Sequence, residues 1–320
     1  MLIFVLRRLL SIVPLLFIIS LVTFVLLQYM GNPLSFYLQG NVTAADLERL
    51  TKQFGLDRPV IIRFGEWLLN IATGDFGASL VSGRKVTELI AYHFPNTLLL
   101  MGTAFGITIV LGIPLGVISA VRRNKRADYA ITTMSIISFS APTFWTGILA
   151  IVVFSLWTRQ RGLPYLPSGG MYDFIDGPTV GSIARHLILP ASILAFSMLA
   201  RYIRYVRSSL IDVLSQDYIR TARAKGVPEG RVLYKHGMKN SLLPVVTIIA
   251  VDMPQLMGGS LITEQVFSWP GMGRLMVDHA GRADFPVLMG ILVFVALIVT
   301  VLTVVADVVY TLIDPRVEYQ

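Results

Sequence analysis

An all-α membrane protein with six transmembrane helices, both termini on the cytoplasmic side, is the fold class the sequence predicts, and three observations carry it. The 320 residues are 54% hydrophobic and only 14% charged, where a soluble domain averages about a quarter charged. Mean hydropathy is +0.69. Six separate stretches hold the roughly 20 apolar residues needed to cross a hydrocarbon core about 30 Å thick at about 1.5 Å per residue. The net charge of +8 is distributed unevenly around those stretches. Cysteine is absent, which excludes a disulfide framework, thiolate zinc sites, iron–sulfur clusters and cysteine nucleophiles.

The first span, Leu9 to Tyr29, follows Arg7 and Arg8 and is about twice the short end of a secretory h-region. No small-residue cleavage site precedes Gly31 and Pro33, so it reads as a retained helix. The others are Thr97 to Val121, Ile131 to Trp157, Ile183 to Tyr202, Leu242 to Ile262 and Pro286 to Ile313. The second carries Gly102 with Gly106 and Gly112 with Gly116, small-xxx-small pairs that let a neighbouring helix approach. Prolines 142, 190 and 254 lie in or near spans, where kinks are tolerated if neighbours satisfy the freed carbonyls.

An even number of spans puts both termini on one side, and the positive-inside rule selects the cytoplasm. Residues 1–8, 122–130, 203–241 and 314–320, with Arg201 at the boundary, then hold sixteen Lys and Arg against six acids. The outer segments hold eleven of each sign, while Asp252 and Asp307 lie inside spans. The basic surplus is therefore topological, and nucleic acid is not an expected partner.

Three segments outside the spans are patterned. In the extracytoplasmic subregion 31–96, Thr43 and Asp46 open an amphipathic stretch through Phe54, and Pro59 to Ala72 places Ile61, Ile62, Trp67, Leu68 and Ile71 at helical spacing. This segment reads as an outer cap or interfacial helix. In the cytoplasmic loop 203–241, Ser208 and Ser209 can open a helix running to Lys225, with Leu210, Leu214, Tyr218 and Ala222 on its apolar face beside Ile211 and Ile219. Gly226 supplies a left-handed stop, and Pro228 fits the first turn of a second helix reaching about Asn240. Such an elbow suits the receipt of force from another protein. In the outer loop 264–284, Phe267 to Gly273 form a corner in which Trp269 reads either as an interface anchor or as a substrate contact.

Catalytic sets are missing from the sequence. The four histidines, at 93, 186, 236 and 279, lack ligand spacing, and none of the six lysines follows a glycine as a P-loop requires. The chain is thus not an enzyme in its own right and is expected to hold neither metal nor cofactor. Charge within a span costs about 2.5 to 3.5 kcal/mol, so Asp252 is a candidate. It either faces an aqueous pathway with Met253, Gln255 and Leu256, or is a structural partner for an interior arginine or backbone group; Asp307 reads as structurally paired.

The elbow sequence Asp217-Tyr-Ile-Arg-Thr-Ala-Arg-Ala-Lys-Gly226, followed by Lys235-His-Gly-Met-Lys-Asn-Ser-Leu-Leu-Pro244, resembles the coupling motif of binding-protein-dependent ABC importer permeases. Arg7-Arg-Leu-Leu, Gly31-Asn-Pro33, Phe54-Gly-Leu-Asp-Arg-Pro59, Gly74-Asp-Phe-Gly77, Ser79, Ile262 to Gly273, Asp284-Phe-Pro286 and Ile313-Asp-Pro-Arg316 extend the likeness along the chain. Together they resemble the dipeptide/oligopeptide (peptide/nickel) branch, first permease subunit. Gly226 and Ala222 match the family's coupling pattern, whereas Arg220 and Thr221 replace its Glu and first Ala.

The resemblance implies a multi-pass permease in a bacterial or archaeal cell membrane that moves oligopeptides or dipeptides inward. It would pair with a homologous second permease, two ATPase subunits carrying ATP and Mg, and an extracytoplasmic peptide-binding protein. ATPase coupling is then expected through Arg220, Thr221, Ala222, Arg223, Ala224, Lys225, Gly226, Val227 and Glu229, with either Arg220 or Glu229 making the polar contact. Nickel chelates, glutathione and small glycosides are alternative cargoes. A stand-alone ion-coupled carrier is the rival class, but it would show buried ion ligands and a symmetric repeat.

Overall fold

The computed structural model describes residues 2–29, 48, 49, 51, 52, 55–257 and 260–313; the side chains of 2–9, 28, 29, 243, 255–257 and 308–313 lie outside that description. Of the stretch opened by Thr43 only 48, 49, 51 and 52 are described, and Gly31-Asn-Pro33 and Asp314 to Arg316 fall outside the description. Among the described residues every regular element is helical, apart from an isolated bridge between Ala78 and Lys85. Helices α1 (Leu2–Tyr29), α2 (Val60–Ala72), α3 (Val86–Val121), α4 (Arg126–Ser140), α5 (Thr143–Gln160) and α6 (Val180–Leu214) come first. They are followed by α7 (Asp217–Ala224), α8 (229–241), α9 (Leu243–Met257), α10 (Leu261–Val266), α11 (Met272–Ala280) and α12 (Phe285–Ile313).

Four of these, α1, α3, α6 and α12, are long and apolar enough to cross a membrane. The third expected span, Ile131 to Trp157, is instead a pair of helices, α4 and α5, bent by 101°. The cause is Pro142, which lacks an N–H and pushes the residue before it out of the helical region; Ala141 has φ −77° and ψ 125°. α5 then widens into a π-helical turn over Val152–Trp157. The fifth expected span resolves into α9 and α10, on either side of Gly258 and Gly259, which are not among the described residues. The apolar part of α9, Pro244–Pro254, is shorter than a span.

The chain divides into two compact units. The first comprises Met1–Thr97, Met257–Leu261 and Pro270–Val304. In it, Phe24 and Leu27 of α1, Phe64 of α2 and Phe285, Leu288 and Met289 of α12 form one apolar cluster. Phe64 meets Phe24 edge-on at 5.3 Å between ring centroids, which is how α2 is anchored. A second cluster joins Val86, Leu89 and Ile90 of α3 to Met272 and Leu275 of α11 and Val287 and Ile291 of α12. The loop at 79–84 is tied down by Asp284, whose carboxylate accepts from the Ser79 hydroxyl and from the Leu80 N–H at 3.0 Å and pairs with His279 Nδ1 at 2.8 Å. Burial opposes ionisation of Asp284, but the bonds from His279, Ser79 and Leu80 hold its carboxyl below the usual range.

The second unit comprises Leu98–Leu256, Ile262–Trp269 and Val305–Gln320. Its centre is the crossing of α3 and α6, where Tyr202 and Val206 pack with Val245 of α9 and with Phe105, Ile109, Ile113 and Val117 of α3. The approach is possible because α3 presents glycine there. A Cβ built on Gly116 would lie 2.6 Å from Val206 Cβ, and one on Gly112 would lie 3.0 Å from Tyr202 Cβ. The other small pair, Gly102 and Gly106, meets nothing within 4 Å among the described residues. Farther along, the Asp128 carboxylate is buried and receives both Arg207 Nε and Nη2 at 2.8 Å, together with the Ser119 hydroxyl and the Asn124 N–H. The corner beginning at Phe267 closes through Gly170 N donating to Phe267 O at 2.9 Å and Trp269 N donating to Glu264 O at 2.9 Å. Trp269 is fully buried in this chain, so it is a packing residue rather than an interface anchor or substrate contact.

Gly116→Val places its new atoms inside Val206, and overpacking of this kind costs about 1 to 3 kcal/mol. Thermal unfolding in detergent is expected to show the loss, with Gly106→Val, which meets open space, as the control. For the Asp284 tie the sign follows from a depressed folded-state pKa: the stabilisation is present above the unfolded carboxylate value of about 3.9 and disappears as pH falls through the lowered one. Hydrogen exchange at the Leu80 amide should therefore stay slow down to that value and become fast at all pH values in Asp284→Asn.

Candidate functional site

The elbow is built by interruption of a long helix. Nothing between Tyr202 and Leu214 stops α6, so Ser208 and Ser209 do not open a new helix as the sequence suggested; Ser209 lies inside α6, and its hydroxyl donates to Ser241 O at 2.8 Å. The break comes at Ser215 and Gln216, with Gln216 in extended conformation as the N-cap of α7. That two-residue step resets the helical register. Leu210 and Ile219 are consequently the fully buried members of the apolar set, whereas Tyr218 is exposed.

The corner after α7 is set by Gly226, at φ +73°, a left-handed conformation that other residues seldom adopt. Pro228 then caps α8 at φ −56°. Across this corner Arg223 clasps Glu229 with two bonds, Nη2 to Oε1 at 2.6 Å and Nε to Oε2 at 3.1 Å. The guanidinium holds the Glu229 carboxyl below the usual range, and Glu229 in turn raises Arg223. α8 rests on α6 through Gly237, whose Cβ position lies 3.3 Å from Leu214 and 3.4 Å from Leu210, and its Val232 is fully buried. Asn240 donates to the Tyr218 hydroxyl at 3.0 Å, joining α8 to α7.

Arg220, Thr221, Arg223, Ala224, Lys225, Gly226 and Glu229 are all exposed, while Ala222 and Val227 are half-buried on the inner side of the corner. The surface is thus continuous over the residues expected to couple to an ATPase. Among the described residues Arg220 has one loose partner, Asp217, at 3.3 Å, whereas Glu229 is engaged by Arg223. The clasp was missed from sequence because its partners stand six residues apart across a turn rather than on one helical face; the acid and base flanking Gly226 and Pro228 were the available signal.

The second candidate, Asp252 on α9, is buried with both oxygens occupied: Arg201 Nη1 donates to Oδ1 at 2.7 Å and Tyr202 OH to Oδ2 at 2.9 Å. Its neighbour Met253 is exposed. Gln255 and Leu256 continue the helix, with side chains outside the described set. Of the two readings left open by the sequence, this geometry has the form of a structural pair, made with an arginine that is itself half-exposed.

A family model described as "Binding-protein-dependent transport system inner membrane component" matches residues 112–319. A second, for the N-terminal part of membrane components of such systems, matches residues 1–101. The chain belongs to the family of binding-protein-dependent transport system inner membrane components. This permease is 42% identical over 318 residues to the oligopeptide transport system permease protein AppB of Bacillus subtilis, covering 99% of each chain. It is 40% identical over 322 residues to a putative peptide permease protein of Brucella ovis, covering 99% of each chain. It is also 37% identical over 321 residues to the glutathione transport system permease protein GsiC of Escherichia coli, covering 100% of each chain. The permease is a multi-pass membrane subunit of a transport system and not itself a catalytic enzyme.

Because the clasp depresses the Glu229 pKa, its contribution is present above the unfolded Glu value of about 4.3 and is lost only as pH falls through the lowered one. Glu229→Gln removes the charge at every pH. Protease sensitivity of the 223–229 corner in the membrane is expected to be low and flat between about pH 5 and 8 in the wild type, and raised throughout in Glu229→Gln.

Proposed function

We propose that the chain is the permease subunit of an ATP-driven importer that carries oligopeptides or dipeptides into the cytoplasm of a bacterial or archaeal cell. The observation that carries the reading is the rigid, exposed elbow formed by α7, Gly226 and α8 within a chain whose relatives are named as peptide permeases. In this reading the chain makes six passes with both termini in the cytoplasm, α4 with α5 and α9 with α10 supplying the two broken ones. The positive-inside count supports the orientation.

Two ATPase subunits bearing ATP and Mg would grip this elbow and its counterpart on a homologous second permease, while a binding protein delivers peptide outside. Arg220 makes the polar contact with the ATPase, since Glu229 is held by Arg223. α8 is fastened to α6 by Gly237 and the Ser209 bond and to α7 by the bond from Asn240 to Tyr218, so displacement of the elbow moves α6, a lever between two bundle states. α9 contributes Met253, with Gln255 and Leu256 further along, to the pathway, while Asp252 fixes α9 against α6. Glutathione, itself a short peptide, is the second cargo reading, favoured by the likeness to GsiC.

Uptake of labelled peptide into proteoliposomes containing the whole complex tests this. Wild type is expected to accumulate di- or oligopeptide only with ATP and binding protein together. Gly226→Pro, which forces φ to about −65° where the corner needs +73°, is expected to lower peptide-stimulated ATP hydrolysis by about tenfold or more while the spans still insert. Uptake by this chain alone under an ion gradient would overturn the proposal.

A further inference from the structure

The loop entering α6 carries apolar side chains with almost no cover. Phe174 is 98% exposed, Ile175 97%, and Val180, at the first position of α6, 86%. The backbone beneath them is nevertheless firmly held. Asp173 N donates to Ser182 Oγ at 2.8 Å, Gly177 N to Asp173 O at 2.9 Å, and Ser182 N to the Thr179 hydroxyl that caps α6 at 3.3 Å. A pinned turn that presents a phenyl ring and a sec-butyl group to water forgoes their burial, and contiguous exposed apolar groups of this kind mark contact sites.

The chemistry around the tip selects the contact. Asp173 and Asp176 flank the two side chains and are exposed. The cations at the base of the loop are turned elsewhere, Arg161 over the Trp157 ring at 3.9 Å and Arg159 over Tyr165 at 5.3 Å. An acidic rim disfavours an anionic lipid surface and suits a protein with an apolar pocket edged by basic residues. The loop also lies at the opposite end of α6 from the elbow, and 35 residues of helix extend about 52 Å, more than the hydrocarbon thickness of about 30 Å. The elbow end holds Arg220, Arg223, Lys225, Arg231, Lys235 and Lys239, which the positive-inside rule assigns to the cytoplasm. The tip is then extracytoplasmic, on the side where a binding-protein-dependent system meets its binding protein.

We infer that Phe174 and Ile175 form an anchor for the extracytoplasmic binding protein, which receives them in an apolar pocket with a cationic rim. This rests on the importer reading given above. The chain has no cysteine, so Phe174→Cys adds a single thiol to it for an environment-sensitive fluorophore. In the complete complex in nanodiscs, the label is expected to report water until binding protein is added and then to shift to the blue, equally in neutral and anionic lipid. Phe174→Ser with Ile175→Ser is expected to raise the binding-protein concentration for half-maximal ATPase stimulation by about tenfold, with the full rate recovered at saturation. Asp173→Lys with Asp176→Lys should also raise it, and more steeply at low salt.

A label already shifted without binding protein, through lipid or the neighbouring permease, would overturn the inference. So would a half-maximal concentration unchanged by the double serine variant. Failure of the binding protein to stimulate wild type at all would instead remove the importer reading, and the anchor with it.

Discussion

The second unit depends on a single crossing, that of α6 over the glycine face of α3. Val206 sits where a Cβ on Gly116 would be, and Tyr202 and Val206 are buried there. The same helix carries Arg201, which reaches Asp252 on α9, and Arg207, which reaches Asp128 on α4. Its last turns carry Leu210 and Leu214, against which Gly237 of α8 packs. Close contact at the glycines thus sets the position of α6, and α6 in turn positions α4, α9 and the elbow.

Two of the buried carboxylates, Asp128 and Asp252, are satisfied in the same way. Unpaired charge in a low-dielectric interior is costly, and each acid is met by an arginine together with at least one hydroxyl, Tyr202 for Asp252 and Ser119 for Asp128. The geometry engages both oxygens of each carboxylate and orients the helices that bear them. Because α6 supplies both arginines, motion of this helix is coupled to α4 and α9 through directional bonds as well as through apolar contact.

The elbow joins two kinds of rigidity. Its corner is local, a left-handed glycine followed by a proline cap and closed by a two-bond clasp. Its attachment is tertiary, through Gly237 and the Ser209 bond to α6. A surface fixed in both ways transmits displacement with little loss, as the proposed coupling to an ATP-driven partner requires.

Local chemistry made much of this legible. Apolar runs located the long helices α1, α3, α6 and α12, Gly226 and Pro228 located the corner, and Gly112 with Gly116 announced a close helix contact, because each of those signals acts within a few residues of itself. The 101° bend at Pro142 was visible as a proline and not as an angle, since a proline in a span can kink it or end it. What only the tertiary structure decided were pairings between distant residues: Asp252 with Arg201, Asp128 with Arg207, Asp284 with Ser79 and His279. The two-residue step at Ser215 and Gln216, which exchanged Tyr218 for Ile219 on the buried face, belongs with them. Sequence determines which residues must be paired or buried, because desolvation acts on each residue by itself; the partner is chosen by helix packing, which brings together positions with no fixed separation along the chain.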